Sequence, residues 1–240
     1  MLTALLTGCG GTAVPAGPER SAVEGEASAA PSTAPGVDGE ADPDRLFTAA
    51  ELTAALPPAG AFGGDAKVTA TTQAPFGPYG HGDWSGCEPA GDLREELTGF
   101  EGAGVTRTVR IGPAVEEGPV VTVQLVSMPS ARTERYLEIQ RRLRELCPET
   151  LVDTEAAPVL EHHEIQEIPS LGDEAQLEIL RVTGGDEYDG TPAHGVAVRI
   201  GGVLAMVRAG DDEDTTVSLA ARAAQRVRAE LYGAEDRVDR

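Results

Sequence analysis

Residues 196–207 read Val-Ala-Val-Arg-Ile-Gly-Gly-Val-Leu-Ala-Met-Val, two alternating runs joined by two glycines. A two-residue loop that joins antiparallel strands needs positive φ angles, and glycine takes them without steric cost. The turn then sets the register: Ile200 opposite Val203, Val198 opposite Ala205, and Val196 opposite Val207. One face of this hairpin is wholly apolar and must pack on a core. The other carries Ala197, Arg199, Leu204, Met206 and Arg208, and is either covered by a helix or open to a partner.

The surrounding chain supplies what such a hairpin packs against. Thr48-Ala49-Ala50-Glu51 has capping-box spacing, followed by Leu52 and Leu56 and stopped by Pro57-Pro58, which predicts a short helix. Residues 57–104 are hard to read beyond a strand at Lys67–Thr72. Val105, Arg107, Val109 and Ile111 alternate as in a strand, and Glu116-Glu117-Gly118 turns the chain into a second one over Val120–Val126. Pro129-Ser130 opens a helix with Tyr136, Ile139, Leu143 and Leu146 as its core stripe and solvated Arg and Glu between them. Cys147 ends it and Pro148 stops it. His163–Ile168 and Glu174–Val182 read as further strands. Asp214 is expected to cap a last helix with Val217, Ala220, Ala224, Val227 and Leu231 inward and Gly233 at its end. This order predicts an α+β fold, a mostly antiparallel sheet packed against two long helices, as a single domain over residues 45–233.

The N-terminal segment has a different character. Leu6-Thr7-Gly8-Cys9 matches a bacterial lipobox, with an aliphatic residue at −3 and small residues before the cysteine whose thiol takes the lipid. Leu2–Leu6 would be the tail of an apolar h-region. No Lys or Arg precedes Cys9, so the charged start of the leader is expected upstream of Met1 or to have been trimmed. Residues 10–44 hold mostly Gly, Ala, Pro, Ser and Glu, too little apolar surface to offset ordering entropy, and read as a disordered linker. Residues 1–9 are then a signal remnant with its lipobox, and 234–240 a tail. The expected location is the extracellular face of the cytoplasmic membrane, held by a lipid anchor.

Cysteine parity agrees with export. With Cys9 acylated, Cys87 and Cys147 are free to pair, as an oxidising compartment favours; two buried thiols are the alternative. Nineteen basic against forty acidic residues leave a formal net charge of −21, which argues against nucleic acid and anionic headgroups as partners.

No chemistry-bearing motif survives scrutiny. Gly82-Asp83-Trp84-Ser85-Gly86-Cys87 only faintly resembles a serine-nucleophile turn, and His81 is the one upstream histidine; Trp84 shielding a disulfide is the better reading. Glu161-His162-His163-Glu164 offers four metal-ligand types, but strand neighbours point to opposite faces, so an exposed polar strand end is favoured over a zinc site. The acidic stretches 185–190 and 211–214 lack calcium-loop spacing, since the third position after Asp186 is Tyr188. No catalytic residue, metal site or cofactor is expected.

With the lipobox, the Trp84–Cys87 segment, the helix ending in Cys147-Pro148, Leu171-Gly172-Asp173-Glu174-Ala175, the Val198-Arg199-Ile200-Gly201 hairpin and the alanine-rich closing helix, the chain resembles the extracellular sensor domains of actinobacterial PknH-type kinases and their stand-alone lipoprotein relatives. The likeness spans roughly residues 45–233. It implies a curved antiparallel sheet flanked by helices, with a groove for an unidentified small ligand or envelope partner, and it supplies no catalytic residues. Those kinase sensors carry two disulfides, whereas this chain offers only Cys87 and Cys147. Without a kinase domain in these residues, signalling would pass through a separate partner. The expected function is a non-enzymatic, membrane-anchored ligand- or partner-binding domain; the alternative is a scaffolding or cell-wall-associated lipoprotein without a ligand. A concave apolar cavity with a few polar groups favours the first reading, and flat polar faces favour the second. A buried histidine beside a carboxylate would instead point to a divergent hydrolase.

Overall fold

The structure, a computed structural model, describes residues 42–76, 84–112, 118–154, 157–184, 189–210 and 212–233. Cys9, the linker up to residue 41, His81, Glu116, Glu117, residues 185–188, Asp211 and the tail 234–240 lie outside the described residues. The strands are β1 (Ala66–Phe76), β2 (Gly102–Ile111), β3 (Val120–Ser127), β4 (Glu149–Val152), β5 (Val159–Glu167), β6 (Glu174–Thr183), β7 (Pro192–Ile200) and β8 (Val203–Ala209). They form one antiparallel sheet in the order β1-β2-β3-β8-β7-β6-β5-β4. The helices are α1 (Ala49–Ala55), α2 (Gly91–Thr98), α3 (Ser130–Leu146) and α4 (Glu213–Tyr232). The fold is therefore α+β, with α3 and α4 the two long helices.

The β7–β8 hairpin has the register its turn dictates, Ile200 with Val203, Val198 with Ala205 and Val196 with Val207. Gly201 sits at φ 53°, while Gly202 has no positive φ, the pattern of a type II′ turn. Gly202 is needed for a second reason. A Cβ there would lie 2.4 Å from the Met128 carbonyl oxygen and 3.0 Å from that of Pro43. The turn is also held from outside, since Asp173 Oδ2 accepts from Gly201 N at 2.7 Å and the Tyr232 hydroxyl bridges Gly202 N and the Ile200 carbonyl.

Because side chains alternate across a strand, the hairpin feeds two separate cores. Val196, Val198, Ile200, Val203, Ala205 and Val207 face α4 and α1, where Ala220, Ala223 and Ala224 let the helix lie close to the sheet. Leu204 and Met206 face the other way, toward α3, Trp84 and the Cys87–Cys147 disulfide, whose Cα atoms are 5.8 Å apart. Closing a loop over a separation of 60 residues is worth about 4 kcal/mol in the chain-entropy account.

Several local expectations need correction. Asp212, not Asp214, caps α4, its side chain accepting from Thr215 N at 3.1 Å. Leu146, the last residue of α3, is exposed rather than part of the core stripe. Among the arginines of α3, Arg144 is buried rather than solvated. Helix α2 and the four-residue edge strand β4 carry no pattern that announced them. The capping box at Thr48 forms as read, with Glu51 returning to Thr48 N at 2.8 Å.

Candidate functional site

The α3 face of the sheet holds a cavity of about 400 Å³. Its floor is β7, which presents Ala193, Gly195 and Ala197 on this side and Val196 and Val198 on the other. Small side chains at period two leave a trough along the strand. Leu137 on α3, Ile165 on β5, Leu180 on β6 and Met206 on β8 give it apolar walls, and Trp84 closes one end.

Polar groups converge on the trough from four elements, β5, β6, β8 and α3. In the sheet, Glu178 pairs with Gly195 and Gly195 with Arg208, so the two charged side chains stand on either side of a residue that has none. A Cβ at Gly195 would lie 3.6 Å from Arg208 Cγ and 3.7 Å from Glu178 Oε2. From above, Gln140 and Arg144 descend one helical turn apart on α3. Arg144 is only 8% exposed and fully engaged: it donates to the Gln140 carbonyl at 2.7 Å, to Gln140 Oε1 at 2.5 Å and to Glu178 Oε1 at 3.0 Å. Its guanidinium also stacks 5.3 Å from the Trp84 ring centroid. Burial alone would push the Glu178 carboxyl up, but Arg144 and His163, with Arg208 further off, outweigh it and hold the group at about 2. Glu178 is thus a carboxylate whose charge Arg144 already neutralises.

His163 was expected on an exposed strand end and is instead buried, its side chain 5% exposed and tilted against Trp84 at 4.7 Å. Its Nε2 meets Thr150 Oγ1 at 3.0 Å and lies 3.5 Å from Glu161 Oε2; its Nδ1 faces Glu178 Oε1 across 3.7 Å. Thr150–His163–Glu178 has the residue order of a nucleophile, base and orienting carboxylate, but not the geometry. Thr150 is 1% exposed and outside the cavity lining, and 3.7 Å is too long for an orienting hydrogen bond. His162 points away from the cavity to Glu149 and Thr183, as strand alternation requires. Buried His194, on the α4 side of β7, has Glu213 3.9 Å away. Among the described residues no three His, Cys, Asp or Glu side chains group as a metal would need.

Two buried donors in the lining make no hydrogen bond among the described residues, Gln140 Nε2 and His163 Nδ1. Sequence reading missed Gln140, Arg144 and Glu178. Their signal was available: Tyr136, Gln140 and Arg144 recur every fourth residue beside the apolar stripe, and Ala193, Gly195 and Ala197 are a small-residue face opposite a valine face.

No protein-family model and no curated protein matches the chain. Among solved structures, the crystal structure of the extracellular domain of PknH from Mycobacterium tuberculosis is similar in fold, with a TM-score of 0.53 at 12% identity, covering 77% of this chain and 98% of that one.

Proposed function

We propose that this chain is an extracellular, non-enzymatic binding domain that is anchored by a lipid on Cys9 and takes a small ligand in the trough over β7. The observation that carries this reading is the cavity itself. Its size falls in the range of small-molecule sites, its floor carries only alanine and glycine, and a few polar groups converge on it. A scaffold that needed only a stable sheet would gain from filling that space, because interiors close-pack and a cavity costs stability. The likeness in fold to a domain described as extracellular is in keeping with export. So is the buried disulfide, which suits an oxidising compartment. Acylation at Cys9, which closes the Leu6–Cys9 lipobox, is the proposed attachment; among the described residues no helix is long and apolar enough to cross a membrane.

Native mass spectrometry of the protein taken from its own envelope tests the binding claim: a retained molecule of constant mass is expected, and repeated recovery of the bare chain refutes it. Cys9→Ser should move the protein from the membrane to the soluble fraction, and retention in the membrane refutes the anchor.

A further inference from the structure

We propose that the ligand of the β7 trough is an amphiphile with a carboxylate head and an apolar body, the carboxylate set against Arg208. This deepens the binding reading above and rests on it.

The polar inventory of the cavity decides the charge. Of its two arginines, Arg144 spends its donors on Gln140 and Glu178. Of its two carboxylates, Glu178 is closed by Arg144, and Glu161 lies against His163. Arg208 has no ion-pair or hydrogen-bond partner among the described residues, and its pairing row places it beside the glycine at the centre of the floor. No hydrogen bond or ion pair joins Glu178 to Arg208, and the bonded oxygen of Glu178, Oε1, is turned to Arg144. The remaining unpartnered groups are also donors, Gln140 Nε2 and, in the tautomer that accepts from Thr150, His163 Nδ1. An arginine without a hydrogen-bonded partner, beside donors left open, is complemented by an acceptor-rich anion, and a planar guanidinium matches a carboxylate in two parallel bonds.

The rest of the lining decides the body. Leu137, Ile165, Leu180 and Met206 offer it no hydrogen bond, and the floor of small side chains admits a chain or ring lying along β7. The chain's net charge of −21 opposes an anion only at long range. Salt screens charges beyond about 8–10 Å, so the groups inside the trough govern binding.

Trp84 is the only tryptophan and lines the trough, so its fluorescence reports occupancy. The full chain is titrated with decanoate, decanol and decyltrimethylammonium below their aggregation concentrations, with calorimetry in parallel. Decanoate should saturate at least tenfold tighter than decanol, and decyltrimethylammonium should bind weakest. Arg208→Gln, at an exposed position that leaves the fold intact, should bring decanoate to the affinity of decanol and leave decanol unchanged. If decanol or the cation binds as well as decanoate, or if Arg208→Gln leaves decanoate unaffected, the carboxylate assignment is overturned while the binding reading stands. If none of the three saturates by either readout, both fall.

Discussion

Replacing both Cys87 and Cys147 by alanine tests whether the second core owes its stability to the crosslink. The bridge spans 60 residues, so releasing it returns about 4 kcal/mol of conformational freedom to the unfolded chain. Both cysteines are buried, and loss of the two sulfur atoms leaves a gap under Trp84 that adds about 1 kcal/mol. For a domain of this size each kcal/mol moves the melting temperature by about 2–4 °C, so the double variant should melt roughly 10–20 °C below the parent. Calorimetry of the two proteins measures it. The parent in strong reductant should fall most of the way but not all, because its thiols still fill the gap. A drop of less than about 4 °C would refute the reasoning: it would mean that the unfolded chain is already as restricted as the crosslinked one, or that the sheet alone carries the stability. Trp84 gives a second readout. Its segment is tied to α3 through this bridge, so the reduced protein should show red-shifted emission at temperatures below global melting.

Two shorter tests address the charge network and the turn. Glu178 titrates near 2 when folded against 4.5 as a free group, so its contribution, on the order of 3 kcal/mol, is full above about pH 4.5 and lost as pH falls toward 2. Urea unfolding of Glu178→Gln should lose much less stability over that interval than the parent does, and an equal loss in both would refute the assignment. Gly202→Ala should cost about 2–4 kcal/mol by chemical denaturation, because its methyl would fall 2.4 Å from the Met128 carbonyl in a backbone pair that also bonds Met128 N to Gly202 O at 2.9 Å. A cost below about 1 kcal/mol would show that the two backbones can separate freely.

How far the sequence spoke depended on whether one face of an element was buried. The β7–β8 hairpin was legible down to its register because one face is wholly apolar and its turn needs glycine. Strand β1 is exposed on nearly every residue, so its composition shows only part of its length. Helix α2 starts at Gly91 without a side-chain cap and buries only Leu97, and β4 is a four-residue edge after Pro148; neither has room for a period. The site was obscured for a different reason. Arg144, Gln140 and Glu178 are polar residues at inward positions, and pattern reasoning assigns polar residues to solvent unless their partners are known. The partners come from α3 and β6, more than thirty residues apart in sequence, and only the fold brings them together. Asp173 behaves similarly: Leu171–Ala175 reads as a strand entry, but the carboxylate's task is to hold Gly201 N in the distant turn.

The two faces of β7 carry the strongest argument that the trough is kept for use. On one face large valines meet the alanines of α4, and the layers close. On the other, Ala193, Gly195 and Ala197 are opposed by the long side chains of α3, and they do not. Glycine in a central strand is itself unfavourable by about 0.5–1 kcal/mol relative to alanine, so Gly195 costs the fold something and contributes no packing. It has no positive φ, and a Cβ would find only ordinary van der Waals contacts, the nearest at 3.6 Å. Nothing in the backbone therefore requires glycine here. Gly195→Val should leave the protein as stable as the parent or more stable by up to about 1 kcal/mol, since valine favours strands and fills space. The same methyl groups would occupy the floor between Glu178 and Arg208, and saturable decanoate binding followed at Trp84 should weaken at least tenfold. Loss of stability by more than about 1 kcal/mol would mean that the trough is closed by packing not evident in its lining. Unchanged binding in a stable variant would mean that the ligand does not lie over β7. Stability gained and binding lost together is the outcome that a space reserved for a ligand demands.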